Sequence, residues 1–517
     1  MELNFPLILR KDDQLLVGVY NEKEASLTEL TGDGAVYTGD YRECEVVFNP
    51  AHKNRFAHAS TTHLRYSEVR ASGDSFTFVL LFEMEVGAII KELQFSPCGK
   101  YLVAFSTMDA KRAPNGNLLV LECETGKVIK QVMQSRWPAL VWTGSEEFCV
   151  RVVNNCLHVL NGALSGGSED GSADGGALCK MNLNLPQDKE AVFSASPSTA
   201  LPLLAVFIPF HKQQPASLVI ARLPNLLDPL LKLSFARSEA AEFFWSTSGD
   251  FVAFLVSTER DPSGKNYYGT ARLHIVDVKN KSVADVKLSG EGDTVHYCAW
   301  SPTSDELLVV HGRMPRNKVT LFNKKGIALL TFGEAPRNMA DWSPDGKEIV
   351  MGGSGNLAGD YKFYSIKPSS TAVPSATPNG SLNDKCSFTF WAPDSHNFLC
   401  TNVFTKLRVD NKVAFYKTNG ECVVTKKFPM LYGAHWVQMK ATKDYAPRPA
   451  SPVKTTTEVK EKPQAYRAPG NNAPNFHRPK ADAAEVKAAG PPGSKLVRKE
   501  EAPTINVTVV NKRKNKK

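Results

Sequence analysis

The sequence lacks the patterns that identify common classes of enzyme. It contains no Gly-x-x-x-x-Gly-Lys-Ser/Thr phosphate loop, no Gly-x-Ser-x-Gly nucleophile elbow and no His-Glu-x-x-His zinc motif. Gly99-Lys100 and Gly346-Lys347 are followed by Tyr101 and Glu348, so neither pair completes a phosphate loop. We therefore expect a protein that is not an enzyme, hydrolyses no nucleotide and uses no cofactor or metal.

Long apolar runs and paired cysteines are missing as well. No run of about 18 apolar residues occurs, and the amino-terminal MELNFP is not a secretory signal, so we expect no membrane span and no export. The 10 cysteines are scattered, and none forms a Cys-x-x-Cys pair. This pattern favours reduced, buried thiols in a cytoplasmic protein over a disulfide framework or a zinc site.

Aromatic residues recur along the first 440 residues, with gaps of 42 to 55 residues between them. A strand-rich repeat of this period is typical of a β-propeller, so we predict an all-β fold of WD40-like blades. The anchors are Phe48, Phe95, Trp142, Phe193, Trp245, Trp300, Trp342, Trp391 and Trp436.

Most anchors open the same short phrase, clearest in residues 95–100 (FSPCGK) and 342–347 (WSPDGK). The aromatic residue is predicted to end one strand, with its ring in the core between blades. Ser, Pro, Asp and Gly then favour a tight turn before the next β-branched run.

Trp436 has no hairpin after it, because proline-rich sequence follows. The missing strands can come from the amino terminus, where residues 14–20 (QLLVGVY) and 35–37 (AVY) precede the first anchor. We therefore predict nine blades, the last built from residues near 1–40 and 430–440, in a propeller domain spanning 1–440. Seven or eight blades are the alternative, if the weak repeat near Trp142 or Phe193 is an insertion.

The positive charge is concentrated at the carboxyl end. Residues 441–517 carry 17 Lys+Arg against 7 Asp+Glu, whereas the whole chain has a net charge of +9. This tail also contains ten prolines and few large apolar residues, so we expect it to be disordered. A basic arm on a near-neutral propeller suggests a polyanionic partner such as RNA, although solubility or nuclear import would explain it equally well.

Two internal segments are predicted to be mobile loops at blade edges. Residues 161–177 are rich in Gly, Ser and acidic residues, and residues 367–385 are rich in Ser, Thr and Pro. We assign neither segment a function.

Several segments are more specific than a generic propeller. They are residues 258–269 (TERDPSGKNYYG), 313–315 (RMP), 336–338 (PRN), 353–359 (GSGNLAG), 407–411 (LRVDN) and 465–469 (AYRAP). In this order and spacing they resemble the eukaryotic translation initiation factor 2A family, a single-chain factor distinct from the heterotrimeric GTP-dependent factor 2.

The resemblance implies a function in translation initiation. It implies GTP-independent binding of initiator methionyl-tRNA to the small (40S) ribosomal subunit, in alternative or non-AUG initiation. The implied partners are the 40S subunit, initiator methionyl-tRNA, mRNA and other initiation factors; we expect a cytoplasmic monomer that binds no membrane. Animal members continue into a Lys/Glu-rich helical region, whereas this chain stops at Lys517.

Candidate RNA- or ribosome-binding residues lie in these segments and in the tail. Tyr267 and Tyr268 can stack on bases or pack on the blade, and Arg337 can reach a phosphate or tie neighbouring blades together. Asn338 and Arg408 are polar loop residues that can likewise belong to a binding surface or have a structural role. The tail candidates are Lys495, Arg498, Lys499, Lys512, Arg513, Lys514, Lys516 and Lys517.

Two alternatives to this function remain. The first is a propeller scaffold or adaptor for protein–protein interaction outside translation, which a near-neutral ring with exposed loops fits equally well on physical grounds. The second is the propeller subunit of initiation factor 3, which is less favoured because that protein carries an RNA-recognition domain before its propeller. No such domain precedes Phe48.

Overall fold

The structure is a computed structural model of the chain. It describes residues 4–439, apart from short internal gaps, together with residues 506–508. The internal gaps are residues 74, 108–112, 114, 136, 139, 165–175, 187, 259–268, 289, 291–292 and 368–372.

The described residues form nine antiparallel sheets, which are the blades of a propeller. Blade 9 receives its outer strands from the amino terminus: β1 (Asn4–Arg10), β2 (Gln14–Asn21), β3 (Ser26–Glu29) and β4 (Val36–Thr38). Blade 1 contains β5 (Val47–Phe48), β6 (Arg55–Ala59), β7 (His63–Ser72) and β8 (Ser75–Glu85). Blade 2 contains β9 (Ile90–Phe95), β10 (Tyr101–Ser106), β11 (Leu118–Glu122) and β12 (Val128–Val132).

The next three blades follow the same order, from the innermost to the outermost strand. Blade 3 contains β13 (Val141–Trp142), β14 (Phe148–Val153), β15 (Cys156–Asn161) and β16 (Cys179–Asn182). Blade 4 contains β17 (Val192–Ala195), β18 (Leu203–Ile208), β19 (Ala216–Arg222) and β20 (Leu231–Phe235). Blade 5 contains β21 (Ala240–Trp245), β22 (Phe251–Ser257), β23 (Ala271–Asp277) and β24 (Ser282–Asp285).

The last blades complete the ring. Blade 6 contains β25 (Val295–Trp300), β26 (Glu306–His311), β27 (Asn317–Asn323) and β28 (Ala328–Ala335). Blade 7 contains β29 (Met339–Trp342), β30 (Glu348–Gly352), β31 (Asp360–Lys367) and β32 (Ser375–Asn383). Blade 8 contains β33 (Phe388–Trp391), β34 (Asn397–Asn402), β35 (Lys412–Lys417) and β36 (Cys422–Lys427), and β37 (Gly433–Trp436) is the innermost strand of blade 9.

The nine blades predicted from the anchors are therefore confirmed, with one anchor in each innermost strand. Every anchor except Phe193 is the last residue of its strand. Blades 3 and 4, which contain the weak repeats, each have a full set of four consecutive strands, so the alternative of seven or eight blades is wrong. The indoles also join blades, because Trp300 Nε1 donates to the Phe244 carbonyl at 2.7 Å and Trp342 Nε1 donates to the Ala299 carbonyl at 3.3 Å.

The repeated phrase forms the predicted tight turn between the first two strands of a blade. In blade 2, Ser96 Oγ accepts a hydrogen bond from the Tyr101 amide at 2.9 Å, and the Gly99 amide donates to the Ser96 carbonyl at 2.8 Å. Gly99 has a φ of 71°, and a Cβ there would lie 2.0 Å from Asn49 Oδ1 in blade 1. Glycine at this position thus provides both the left-handed turn and the close approach of the neighbouring blade.

The apolar core is divided among the junctions between blades, and each of the nine junctions has its own cluster of buried side chains. At the junction of blades 8 and 9, the rings of Tyr20 and Phe415 stack with centroids 4.1 Å apart, and Trp436 meets Phe415 edge-on at 5.5 Å. Burial of each large aromatic side chain contributes about 1.5–3 kcal/mol, so the junctions account for much of the stability.

The ring closes by pairing the two ends of the propeller, as the sequence predicts. β37 pairs antiparallel with β1, with Leu7 opposite Trp436 and Arg10 opposite Gly433. β1 continues into β2, and β3 and β4 both pair with β2. Sharing the blade in this way leaves no unpaired inner strand at the junction of the termini.

The interpretation of residues 367–385 as a mobile loop is wrong for most of that segment. Ser375–Asn383 form β32, the outermost strand of blade 7, which pairs with β31 from Lys367 to Asp360. Pro378 lies beside the register shift between Phe363 and Tyr364, on an edge strand, where a missing amide proton is tolerated. Of the other predicted loop, residues 165–175 lie outside the described residues.

The predicted disordered tail also lies outside the described residues, except for one short strand. Residues Asn506–Thr508 form β38, which pairs antiparallel with β20 and becomes a fifth strand of blade 4. Lys232 lies opposite Thr508, and Ser234 lies opposite Asn506.

The ten cysteines all lie in described residues, and all are free thiols. Six are buried, and burial raises the pKa of the Cys44 and Cys123 thiols to about 12. In the described part of the chain, no helix is long and apolar enough to cross a membrane. Within the same residues, no group of three or more His, Cys, Asp or Glu side chains could hold a metal ion.

Candidate RNA-interaction face

The antiparallel blades give the propeller two distinct faces. The turns between first and second strands and between third and fourth strands lie on one face, which we call the turn face. The loops between second and third strands and the connections between blades lie on the other, which we call the loop face. The repeated aromatic phrases belong to the turn face.

Five of the six segments that carry the family resemblance connect strands on the loop face, and residues 465–469 lie outside the described residues. Residues 258–269 join β22 to β23, 313–315 join β26 to β27, 336–338 join blade 6 to blade 7, 353–359 join β30 to β31, and 407–411 join β34 to β35. Segments that are up to about 150 residues apart in sequence are therefore brought to one side of blades 5 to 8. The sequence did not specify which face they share.

Arg337 lies inside the connection between blades 6 and 7, and its side chain is only 5 % exposed. Its Nη1 donates to the Gly333 carbonyl at 2.9 Å, and its backbone amide donates to Asn317 Oδ1 at 2.9 Å. The Asn317 side chain donates in turn to the Arg337 carbonyl. Burial lowers the pKa of the guanidinium, and these contacts use Arg337 to hold the connection between the blades.

Asn338 is half-buried and fastens the glycine-rich loop of blade 7. Its Nδ2 donates to the Ser354 carbonyl at 3.0 Å, and its Oδ1 accepts from the Ser354 amide at 3.0 Å. Both ends of the side-chain amide are thus engaged within the propeller. Asn338 and Arg337 shape the loop face from within.

Arg408 is the described candidate whose side chain is exposed on the loop face. Its neighbour Val409 is 63 % exposed, so this part of the loop projects into solvent. The loop is held at its end by Asn411, whose Nδ2 donates to the Leu407 carbonyl at 2.7 Å and whose Oδ1 accepts from the Leu431 amide at 3.2 Å. Arg408 is therefore exposed on a loop whose carboxyl-terminal end is fixed.

Sequence reasoning did not identify the asparagine that recurs at the start of the third strand. In four blades its side-chain oxygen accepts a hydrogen bond from a backbone amide in the segment that follows the outermost strand of the same blade. The pairs are Asn117 with Gln134, Asn155 with Leu185, Asn317 with Arg337, and Asn411 with Leu431. An asparagine directly before a β-branched or leucine-rich third strand is the signal that would have found them.

The other candidate residues lie outside the described residues. Tyr267 and Tyr268 fall in the gap between Thr258 and Gly269, whose two ends lie at the loop face of blade 5. The tail cations also fall outside; they are Lys495, Arg498, Lys499, Lys512, Arg513, Lys514, Lys516 and Lys517.

Two lysines near blade 8, Lys412 and Lys385, differ in whether a buried carboxylate pairs with them. Asp384, which is 6 % exposed, accepts a hydrogen bond from Tyr416 Oη at 2.8 Å and forms an ion pair with Lys412 Nζ. Burial and this carboxylate raise the pKa of the Tyr416 hydroxyl. Lys412 is therefore neutralised, whereas the adjacent Lys385 is exposed.

A concave site lies on the loop face in another sector, across blades 2 to 4. It encloses about 700 Å³ and is lined by apolar groups such as Trp137, Leu185 and Phe193, with Asn154 and Lys189 among its polar residues. Lys189 Nζ donates to the Phe210 carbonyl at 2.7 Å. None of the family segments lines this cavity.

The part of the chain that matches a known protein family contains these loop segments. The family model described as eukaryotic translation initiation factor eIF2A matches residues 233–434, which include all the loop-face segments of blades 5 to 8. Eukaryotic translation initiation factor 2A of Schizosaccharomyces pombe is 29% identical over 403 residues, covering 74% of this chain and 66% of that protein. The chain belongs to the eukaryotic translation initiation factor 2A family.

Other members of the factor 2A family agree with this assignment. The Drosophila melanogaster factor 2A is 31% identical over 360 residues, covering 67% of this chain and 53% of that protein. This chain thus spans about half to two thirds of the length of the relatives it matches. A solved structure titled "Crystal structure of the eukaryotic initiation factor" superposes with a TM-score of 0.67 at 23% identity, covering 84% of this chain and 98% of that chain, and shows the same fold.

Proposed function

We propose that this chain is a translation initiation factor that binds the small ribosomal subunit and promotes GTP-independent binding of initiator methionyl-tRNA, in alternative or non-AUG initiation. It acts in the cytoplasm as a monomer, contacts mRNA and other initiation factors, and performs no catalysis of its own. The observation that carries the proposal is that the factor 2A family match coincides with the loop segments that blades 5 to 8 present on one face.

The candidate residues have different roles in this function. Tyr267, Tyr268 and Arg408 belong to loop-face segments and contact RNA or ribosome directly. Arg337 and Asn338 act by positioning the loops, because their side chains bond within the propeller. The basic residues of the 441–517 tail add nonspecific phosphate contacts, since a lysine-rich segment binds any polyanion in a salt-dependent way.

The sequence supports a role without nucleotide chemistry. It has no phosphate loop of the Gly-x-x-x-x-Gly-Lys-Ser/Thr kind, so GTP is not required by any motif in the chain. Its net charge of +9 favours association with the polyanionic subunit and tRNA.

The experiment is co-sedimentation of the full chain with purified small ribosomal subunits, with and without labelled initiator methionyl-tRNA and without GTP. We expect the protein to enter the subunit fraction, to increase the tRNA retained there, and to be released by added salt. A chain without residues 441–517 is expected to associate more weakly. Absence of the intact protein from the subunit fraction, together with recovery of only non-ribosomal proteins in pull-downs, would favour the scaffold function instead.

A further inference from the structure

Five exposed cations lie on the loop face between blade 6 and blade 8. Arg313 and Arg316 belong to the blade 6 loop, Lys385 to the connection between blades 7 and 8, and Lys406 and Arg408 to the blade 8 loop. We call this set the basic sector. The blade 7 loop between them, residues 353–359, contains three glycines and no charged residue.

Two carboxylates beside the basic sector are engaged elsewhere, whereas Asp410 is exposed in the same loop as Arg408. Asp384 is buried with Lys412, and Glu334 lies 3.5 Å from Lys318 Nζ on the outer strand pair of blade 6. Among the described residues, Arg316, Lys385, Lys406 and Arg408 have no carboxylate within ion-pair distance. These four side chains therefore keep their positive charge for an external anion.

Apolar side chains are exposed among these cations. Phe388, the first residue of β33, is 40 % exposed, and Lys406 Nζ lies 5.9 Å from the centroid of its ring. Met314 is 41 % exposed between the two arginines of blade 6. An exposed aromatic ring bordered by cations suits a nucleotide chain, because the bases can stack while the phosphates meet the charges.

The neighbouring sector of the loop face, on the far side of blade 8, is rich in acidic residues. Residues 11–13 and 39–46, in blade 9 and its connection to blade 1, contain the acids Asp12, Asp13, Asp40, Glu43 and Glu45. Three of these acids form ion pairs, Asp40 with Arg42, Glu43 with Lys91 and Glu45 with Arg10. A polyanion approaching this face is therefore attracted toward the basic sector.

We propose that single-stranded RNA binds across the basic sector, with its phosphates on Arg313, Arg316, Lys385, Lys406 and Arg408 and a base against Phe388. This inference rests on the proposed function and gives it a defined surface. The ligand follows from the combination of cations with an aromatic ring, since cations alone would serve an acidic peptide equally well.

Blade 6 supplies a matched control, because it carries two arginines on the loop face and two exposed lysines, Lys324 and Lys325, on the turn face. The test variants are Arg313→Gln/Arg316→Gln and Lys406→Gln/Arg408→Gln, and the control is Lys324→Gln/Lys325→Gln. Each is made in the full chain and again with the five cations at 512–517 replaced by glutamine. Binding of a labelled single-stranded RNA of about 20 nucleotides is measured by fluorescence anisotropy over a salt series.

Each loop-face variant is expected to bind RNA about tenfold more weakly at ~0.1 M salt, and its log–log salt slope should fall by about 1.4, or 0.7 per lost phosphate contact. The control should bind like the wild type. Phe388→Ala should weaken binding of single-stranded RNA more than binding of an RNA duplex, whose bases are not free to stack. Unchanged circular dichroism and melting temperature establish that the variants are folded.

Three results would overturn the inference. They are loop-face variants that bind as the wild type does, a control that loses as much as they do, or poly-glutamate that competes as well as RNA of equal charge. If the variants keep RNA affinity while the wild type still enters the small-subunit fraction, the basic sector is rejected and the proposed function stands. If the variants lose RNA affinity and the wild type fails to co-sediment, the sector stands and the ribosomal function is rejected.

Discussion

Arg10 and Tyr432 lie 422 residues apart in sequence, and each donates a hydrogen bond to the backbone carbonyl of the other where the ring closes. The Tyr432 amide donates to Arg10 O at 2.7 Å, and Arg10 Nη2 donates to Tyr432 O at 2.9 Å. The same guanidinium donates to the carbonyls of Tyr41 at 2.9 Å and Cys44 at 2.8 Å. One buried side chain thus joins the first, last and connecting segments of the propeller.

Replacing Arg10 should therefore weaken ring closure strongly. Arg10→Met leaves three buried carbonyls without their donor and should lower the free energy of unfolding by about 3–5 kcal/mol. Urea denaturation followed by tryptophan fluorescence measures the change. Arg42→Met is the control, since Arg42 pairs with Asp40 at an exposed position and should change stability by less than about 1 kcal/mol. Equal losses in the two variants would contradict the closing role of Arg10.

His58 should make the propeller sensitive to acid. It is 1 % exposed among the rings of Tyr37, Tyr41 and Phe56, and neither ring nitrogen has a hydrogen-bond partner. Burial, with a smaller effect of Arg65, lowers the pKa of His58 to about 3. Its neutral ring is therefore compatible with the fold above pH 6.5, and stability is lost as the pH falls from there toward 3, at about 1.4 kcal/mol per pH unit.

The measurement for His58 is chemical denaturation at a series of pH values from 4 to 7. His58→Phe keeps an aromatic ring in the cage and should give a flatter dependence of stability on pH than the wild type. His52→Gln, at an exposed position in the preceding turn, is the control and should leave the dependence unchanged. A wild-type slope retained in His58→Phe would assign the acid sensitivity to other groups.

Glu348 should lower the stability of the propeller as the pH rises, which is the opposite of the effect of His58. It is 8 % exposed, and Asn379 Nδ2 donates to its Oε1 at 2.9 Å; burial raises the pKa of the carboxyl to about 7. Folding thus favours the protonated form, and stability is lost as the pH rises from 4.5 through 7. Glu348→Gln should match the wild type near pH 5 and be more stable by about 1–3 kcal/mol at pH 8.

Thermal unfolding at pH 5 and pH 8 checks this expectation. Glu306 occupies the equivalent first position of the second strand in blade 6 and is only half-buried, so Glu306→Gln is the matched control. It should change the melting temperature by a similar small amount at both pH values. Glu348→Gln that is no more stable at pH 8 than at pH 5, relative to wild type, would count against a buried, protonated Glu348.

The pairing of the carboxyl-terminal strand with blade 4 can be tested by cross-linking. Paired cysteines at Ser234 and Asn506, or at Lys232 and Thr508, occupy opposite positions of the two strands and should form disulfides under mild oxidation. Cysteines at Lys232 and Asn506 are diagonal, at roughly 8 Å, and should react poorly. Peptide mass spectrometry distinguishes these products from those of the native thiols, and equal yields for all three pairs would reject the register.

The architecture was largely predictable because each blade is a local unit. The anchors, the turn after them and the following strand lie within about 15 residues, so local turn chemistry and the strand period identify them. The absence of a hairpin after Trp436 also predicted that the amino terminus closes the ring. The segment 375–383 escaped prediction, because its strand is stabilised by pairing with β31 and its own Pro, Ser and Thr content indicates a loop.

The candidate site was predictable only in part. The loop segments were recognised from sequence, but whether a side chain in them faces solvent depends on contacts with residues elsewhere in the fold. Arg337 is buried because Asn317, twenty positions earlier, and Gly333 bind its backbone and guanidinium. Arg408 is exposed because Asn411 fixes the loop through Leu431 of the next connection.

The sequence by itself determined the period, the number of blades and the separation of charge between ring and tail, since these follow from residue order and composition. Only the tertiary structure decided that the loops of blades 5 to 8 share one face and that a basic sector lies there beside an acidic one. The physical reason is that antiparallel pairing sends alternate connections to opposite faces, and ring closure brings distant blades together around one axis.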